Sequence, residues 1–114
     1  MNAKSKYRNR PTCGYDSHKE KHRADMLRLM QASGVIADLR RQVRFTLIPS
    51  QYATSTDGRR VCVERPVTYV ADFVYTDLTT GCTIVEDVKG FRTAGYVIKR
   101  KLMLHVHGIR IKET

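Results

Sequence analysis

The stretch VTYVADFVYTDLTTGCTIVEDVKG, Val67 to Gly90, decides the fold. VTYVADFVYT is rich in β-branched and aromatic residues, DLTTG has the composition of a tight turn, and CTIVEDV is apolar again. The expectation is an antiparallel β-hairpin. Such a hairpin carries charges that a core strand should not hold. Side chains two apart share a face of a strand, so Asp87 and Lys89 point one way with Val85. Ile84, Glu86 and Val88 point the other way, which makes Glu86 either a surface residue or a support behind the first face. Asp72 lies in the partner strand between Ala71 and Phe73, on the parity of Val70 and Val74. An unpaired buried charge is costly, so Asp72 calls for a cation. Carboxylates converging across a hairpin make a hard-oxygen site suited to Mg²⁺ or Mn²⁺, and a lysine beside them adds a point charge for a water or phosphate. The bland alternative is a buried Asp72–Lys89 ion pair, with Asp87 left at the sheet edge.

Outward from the hairpin, SHKEKHRADMLRLMQASG opens with Ser17 as N-cap and Glu20 at the capping-box position, and Gly34 offers a stop. Ala24, Leu27 and Met30 form the apolar stripe of this first helix, and Glu20 shares their face. Glu20 thus either turns inward toward the fold or merely completes its cap. LRRQVRFTLIP alternates, with Val43, Phe45 and Leu47 on one side, as a half-buried strand ended by Pro49. SQYATSTDGRR and VCVERP read as a charged hairpin or loop, with Val61 to Glu64 as a short extra edge strand. Thr93 caps a second helix running to about His107, Gly108 ends it, and IRIKE alternates as a last strand. The order is helix, three strands, helix, strand: an α/β (α+β) domain with a mixed sheet and two helices.

A chain of 114 residues holds one domain with a real core. Twenty-one Lys and Arg against eleven Asp and Glu give a formal charge of +10, which favours a polyanionic partner, nucleic acid first. No segment approaches the length of a membrane-spanning helix and no basic helix has a wide apolar face. MNAKSKYRNRPT is basic and lacks the apolar run of a secretory signal; residues 1–16 read as a flexible arm for phosphates, and the expected setting is the cytoplasm. Cys13, Cys62 and Cys82 are odd in number and have no CxxC spacing, against both a disulfide framework and a Cys-rich zinc site. Cys13, His18 and His22 have zinc-like spacing without a fourth ligand, which favours a surface thiol beside helix-face histidines.

YVADF followed after a short turn by VEDVKG, in this order of elements, resembles the PD-(D/E)XK nuclease superfamily with its restriction-endonuclease-like αβββαβ core. SHKEKHRADML, VTYVADFVY, VEDVKG and YVIKRKLM together are similar to a family of small phage and prophage proteins related to phage Holliday junction resolvases. The resemblance spans residues 17–114 as a single nuclease domain. It implies Asp72 as the first acid, Asp87 as the second, Lys89 as the lysine, and Glu20 as the acid that many members place on the first helix. Ala71 stands where the superfamily name has proline, and Glu86 has Val88 where a lysine would be needed. The implied activity is Mg²⁺- or Mn²⁺-dependent hydrolysis of phosphodiester bonds in branched DNA during phage recombination, in the host cytoplasm.

The resemblance places Lys99 or its neighbours Arg100 and Lys101 beside the incoming backbone, against a plain solvated cationic face, and Arg59, Arg60 and Arg65 are candidates for the opposite wall. None of these reads bases, so binding would rest on backbone charge and DNA shape, and paired cutting would suit a two-fold homodimer. Two other readings use the same residues: a DNA-binding accessory protein that keeps the fold without chemistry, and a nuclease for RNA or single strands.

Overall fold

The computed structural model describes residues 17–89 and 91–114. The proposed basic arm, 1–16, lies outside them. Helix α1 spans His18–Ala32, and its N-cap Ser17 accepts a 3.1 Å hydrogen bond from the Glu20 backbone N–H. Gly34 leaves the helix with φ 82°, a left-handed conformation that glycine adopts without a Cβ clash. Strand β1 (Ile36–Ile48) follows, then β2 (Gln51–Thr54), β3 (Arg60–Glu64), β4 (Val67–Asp77), β5 (Cys82–Asp87), helix α2 (Ala94–His107) and β6 (Lys112–Glu113).

The central sheet runs β1-β4-β5-β6. β1 pairs antiparallel with β4 and β4 with β5, whereas β5 and β6 are parallel. The molecule is therefore a mixed α+β domain with a mixed sheet and two helices. The β4–β5 hairpin expected from sequence is present. Asp77 builds its turn by accepting from the Thr79 N–H at 2.9 Å and the Thr79 hydroxyl at 2.6 Å, and Gly81 closes it at φ 77°.

Two expectations change. The charged hairpin is present as β2 and β3, but Val61 to Glu64 does not border the main sheet: β3 pairs with β2 in a separate two-stranded sheet whose residues are all exposed. The last strand shortens to Lys112–Glu113, because Ile109 and Ile111 pack into the core from the segment before it.

The sheet separates two apolar clusters. On one face, Met103 and Tyr96 of α2 pack with Leu47, Tyr69, Ala71, Val74, Val85 and Ile111. On the other, Ala24 and Leu27 of α1 pack with Ile36, Phe73 and Tyr75. Leu27 and Met103 are fully buried, each contributing about 1.5–3 kcal/mol through removal from water. These two contacts fix both helices against the strands that carry the acids. Among the described residues no helix is long and apolar enough to cross a membrane.

Candidate active site

The β4–β5 register pairs Phe73 with Glu86; one further step sets Asp72 opposite Asp87, beyond the last ladder pair. The ladder's next donor, the Val88 N–H, is taken by Asp72 Oδ2 at 2.8 Å. Asp87 is 3% exposed. Tyr69 donates to its Oδ2 at 2.6 Å, and Lys89 Nζ lies 3.4 Å from its Oδ1. The ammonium of Lys89 sits 4.1 Å over the Tyr96 ring, which holds it by a cation–π contact. Asp72, Asp87 and Lys89 line a cleft of about 430 Å³ with Tyr69, Tyr96 and Lys99. The lysine pairs with Asp87, as their shared parity predicts, and not with Asp72.

Burial, and then the carboxyl of Asp87 beside it, push the Asp72 carboxyl up to about 8. Two acids this close cannot both ionise without a cation. Burial and the Asp87 carboxylate likewise push the Tyr69 phenol up, so it stays protonated and donates. Among the described residues no three His, Cys, Asp or Glu side chains gather into a ready cage. A magnesium ion does not need one, because it keeps several waters and takes one or two carboxylates together with substrate phosphate. The facing pair Asp72–Asp87, with the Asp72 carboxyl pushed up and Lys89 beside Asp87, fits that donor set.

Glu20 reaches the same region from α1. It is 4% exposed, so it does turn inward. Its Oε2 accepts from Gln42 Nε2 at 3.3 Å and lies 3.8 Å from Arg41 Nη2. It is near enough to Asp72 to add to the upward pressure on that carboxyl, but it does not line the cleft.

Glu86 has a different fate. It does face away from Asp87, yet it is not a surface residue: it is fully buried. Arg23 grips both of its oxygens, with Nη2 to Oε1 at 2.9 Å, while Tyr75 donates at 2.7 Å and Thr114 at 3.0 Å. Burial acts to raise its carboxyl, but Arg23, Tyr75 and Thr114 together outweigh burial and hold it below the ordinary range. Glu86 thus ties α1, β4, β5 and the segment after β6 into one knot behind the site.

The basic residues divide three ways. Lys99 lines the cleft. Arg100 and Lys101, its neighbours in the KRK run, turn to a separate hollow of about 350 Å³ with Arg110 and Glu113. Arg59, Arg60 and Arg65 belong to the β2–β3 hairpin and its exit, and do not wall the cleft; Arg59 pairs with Asp57 at 2.9 Å and Arg60 stacks 3.7 Å over Tyr52. Tyr69, Tyr75 and Glu113 went unread in the sequence. Glu113 accepts from Tyr96 at 2.6 Å and pairs with Arg92 and Arg100; Arg92 first, then Tyr96, hold it down to about 2. The only signal for Tyr69 was its parity with Ala71, which reads equally as core. Of the zinc-like set, Cys13 lies outside the described residues. His107, at the end of α2, meets the Thr46 carbonyl oxygen at 2.7 Å.

No curated protein and no solved structure matches the chain. One family model does, described as a protein of unknown function (DUF1064), over residues 4–112. With nearly its whole length matched, the chain belongs to the DUF1064 family.

Proposed function

We propose that this protein is a metal-dependent DNA endonuclease of the PD-(D/E)XK superfamily, cutting branched DNA in the manner of a Holliday junction resolvase. The observation that carries the reading is the facing pair Asp72–Asp87 with Lys89 fixed 3.4 Å from Asp87. The order α1-β1-β4-β5-α2-β6 of the main sheet and helices, with its parallel last strand, agrees with the αβββαβ core of that superfamily. So do the basic composition and the lysine at the cleft rim.

Asp72 and Asp87 would hold Mg²⁺ or Mn²⁺, with Glu20 near enough to assist through water. Such an ion polarises a phosphate, lowers the pKa of a bound water and offsets charge on the leaving oxygen. The chain's own residues do the rest. Tyr69 fixes one oxygen of Asp87 and Lys89 meets the other, so the carboxylate is held in place beside the cleft. Lys89, seated on Tyr96, presents a fixed positive charge beside Asp87 for the phosphate or the attacking water. Lys99 offers the backbone a further contact from α2. The cytoplasm is the setting that suits such a substrate, and a dimer suits paired cuts.

Purified protein incubated with four-way junction, flap, linear duplex, single-stranded DNA and RNA, with and without Mg²⁺ or Mn²⁺, tests the reading. Metal-dependent nicking of the branched substrates is the expected result, abolished by Asp72→Ala, Asp87→Ala and Lys89→Ala while the far-ultraviolet spectrum stays native. Full cleavage by Asp87→Ala would refute the assignment. Binding of junctions without metal uptake or nicking would mark a DNA-binding accessory protein instead, and preference for RNA or single strands would move the substrate class.

A further inference from the structure

Strand β1 changes sides in mid-course. Leu39 packs in the cluster under α1, and Arg41 reaches Glu20 of α1. Val43, Phe45 and Leu47 pack in the cluster under α2. In an unbroken strand residues 39, 41, 43 and 45 would share one face. The partner strand changes at the same level: Tyr69 and Ala71 belong to the α2 cluster, Phe73 and Tyr75 to the α1 cluster. Arg41 pairs with Phe73 and Val43 with Ala71 without any shift of register, so the change falls at one residue on each strand, Gln42 and Asp72. Gln42 has φ 54°. That is the left-handed region, which glutamine, unlike glycine or asparagine, enters against steric resistance.

The switch has a geometric product. Glu20 arrives from the α1 side and Asp87 lines the cleft beside Tyr96 of α2. An ordinary strand would commit Asp72 to one of those sides. At the crossover it borders both: the register sets Gln42, whose Nε2 donates to Glu20 Oε2 at 3.3 Å, opposite Asp72 on one side and Asp87 opposite it on the other. We infer that Gln42 is a positioning residue, whose left-handed backbone turns β1 and β4 over at Asp72 and so brings Glu20 up behind the Asp72–Asp87 pair. The backbone is the operative feature, since Arg41 as well as the Gln42 amide meets Glu20 Oε2. The geometry stands apart from the activity; the consequence for metal binding rests on the nuclease reading.

Two measurements test it in Gln42→Gly, which accepts the left-handed backbone, and Gln42→Val, which opposes it. The first needs no metal. A double-mutant cycle between Glu20→Gln and Asp72→Asn, read from urea unfolding at pH 8.5, reports the proximity of the two acids. Coupling is expected in the wild type and in Gln42→Gly and should vanish in Gln42→Val. Undiminished coupling in Gln42→Val, or none in the wild type, overturns the inference. The second is Mn²⁺ binding by calorimetry: Gln42→Gly should match the wild type within about threefold, and Gln42→Val should bind about tenfold more weakly or worse. Equal affinities for the two variants would also overturn it. If Gln42→Val does not fold, Gln42→Ala, which resists the left-handed region more mildly, takes its place with the same outcomes. A wild type with coupled acids but no Mn²⁺ binding sinks the proposed function and leaves the positioning role standing.

Discussion

Asp72 makes the site sensitive to pH in a direction opposite to that of an ordinary ion-paired acid. Its folded carboxyl titrates near 8, whereas an unfolded aspartate loses its proton near pH 4. Between those values the folded state binds the extra proton, so metal-free stability falls as pH rises from about 4 to about 8. Asp72→Asn should remove that loss. At pH 8.5 it should unfold at higher urea than the wild type, by about 1–2 kcal/mol after allowance for the solvent that reaches this group, with little difference at pH 5. Because the ion must displace the proton, Mn²⁺ affinity measured by calorimetry should rise from pH 6 to pH 8.5. Glu86 behaves the other way. Its carboxyl is held below the ordinary range, so its contribution is full above about pH 4.5 and is lost as pH falls through its lowered value. Glu86→Ala strands Arg23 and Tyr75 and should cost about 3 kcal/mol in denaturant unfolding, while nicking per folded molecule is retained. A hyperstable Glu86→Ala, or an inactive but fully folded one, would contradict the structural role given to it.

At the scale of elements, the β2–β3 hairpin is the outlier. Its two strands bury nothing and pair only with each other, and an isolated two-stranded hairpin is marginal in water. Replacing residues 52–63 by a short Gly-Ser turn should therefore leave the melting temperature of the body within a few degrees, since loop closure depends weakly on length. Loss of Arg59 and Arg60 in that deletion should flatten the salt dependence of DNA binding by about 2 in the log–log slope if both meet phosphates; an unchanged slope would free the hairpin of that role. Helix α2 rests on its cap. Thr93 accepts from the Tyr96 N–H at 3.1 Å, and Thr93→Ala should cost about 1 kcal/mol, loosening the turn that seats Tyr96 beneath Lys89.

For the molecule as a whole, the formal charge of +10 predicts junction binding that weakens steeply between 50 and 200 mM salt, by roughly a thousandfold if six phosphates are met. A flat salt response by fluorescence anisotropy would exclude backbone charge as the source of affinity. The candidate DNA-contacting cations fall in three places, the cleft, the hollow beside Glu113 and the β2–β3 hairpin with its exit, which suits a partner of extended and changing direction better than a single short helix of DNA.

The order of elements, both helix caps and the β4–β5 hairpin were legible in the sequence because each is a local matter. Ser17 and Thr93 bond to N–H groups three residues on, and Asp77 and Gly81 close a turn within five residues. The parity of Asp87 with Lys89 was equally local, and their contact followed from it. What tertiary structure alone decided is where charges meet across long separations. Glu86 found Arg23, 63 residues away, and so became a buried knot, and the KRK run was divided between two hollows by the rotation of α2 on the sheet. Alternation in the sequence foretold one face for β1, Val43 to Leu47, but not the turnover at Gln42. The physical reason is that a left-handed glutamine has no signature of its own in the chain: only packing against two helices on opposite faces of one sheet can hold it there.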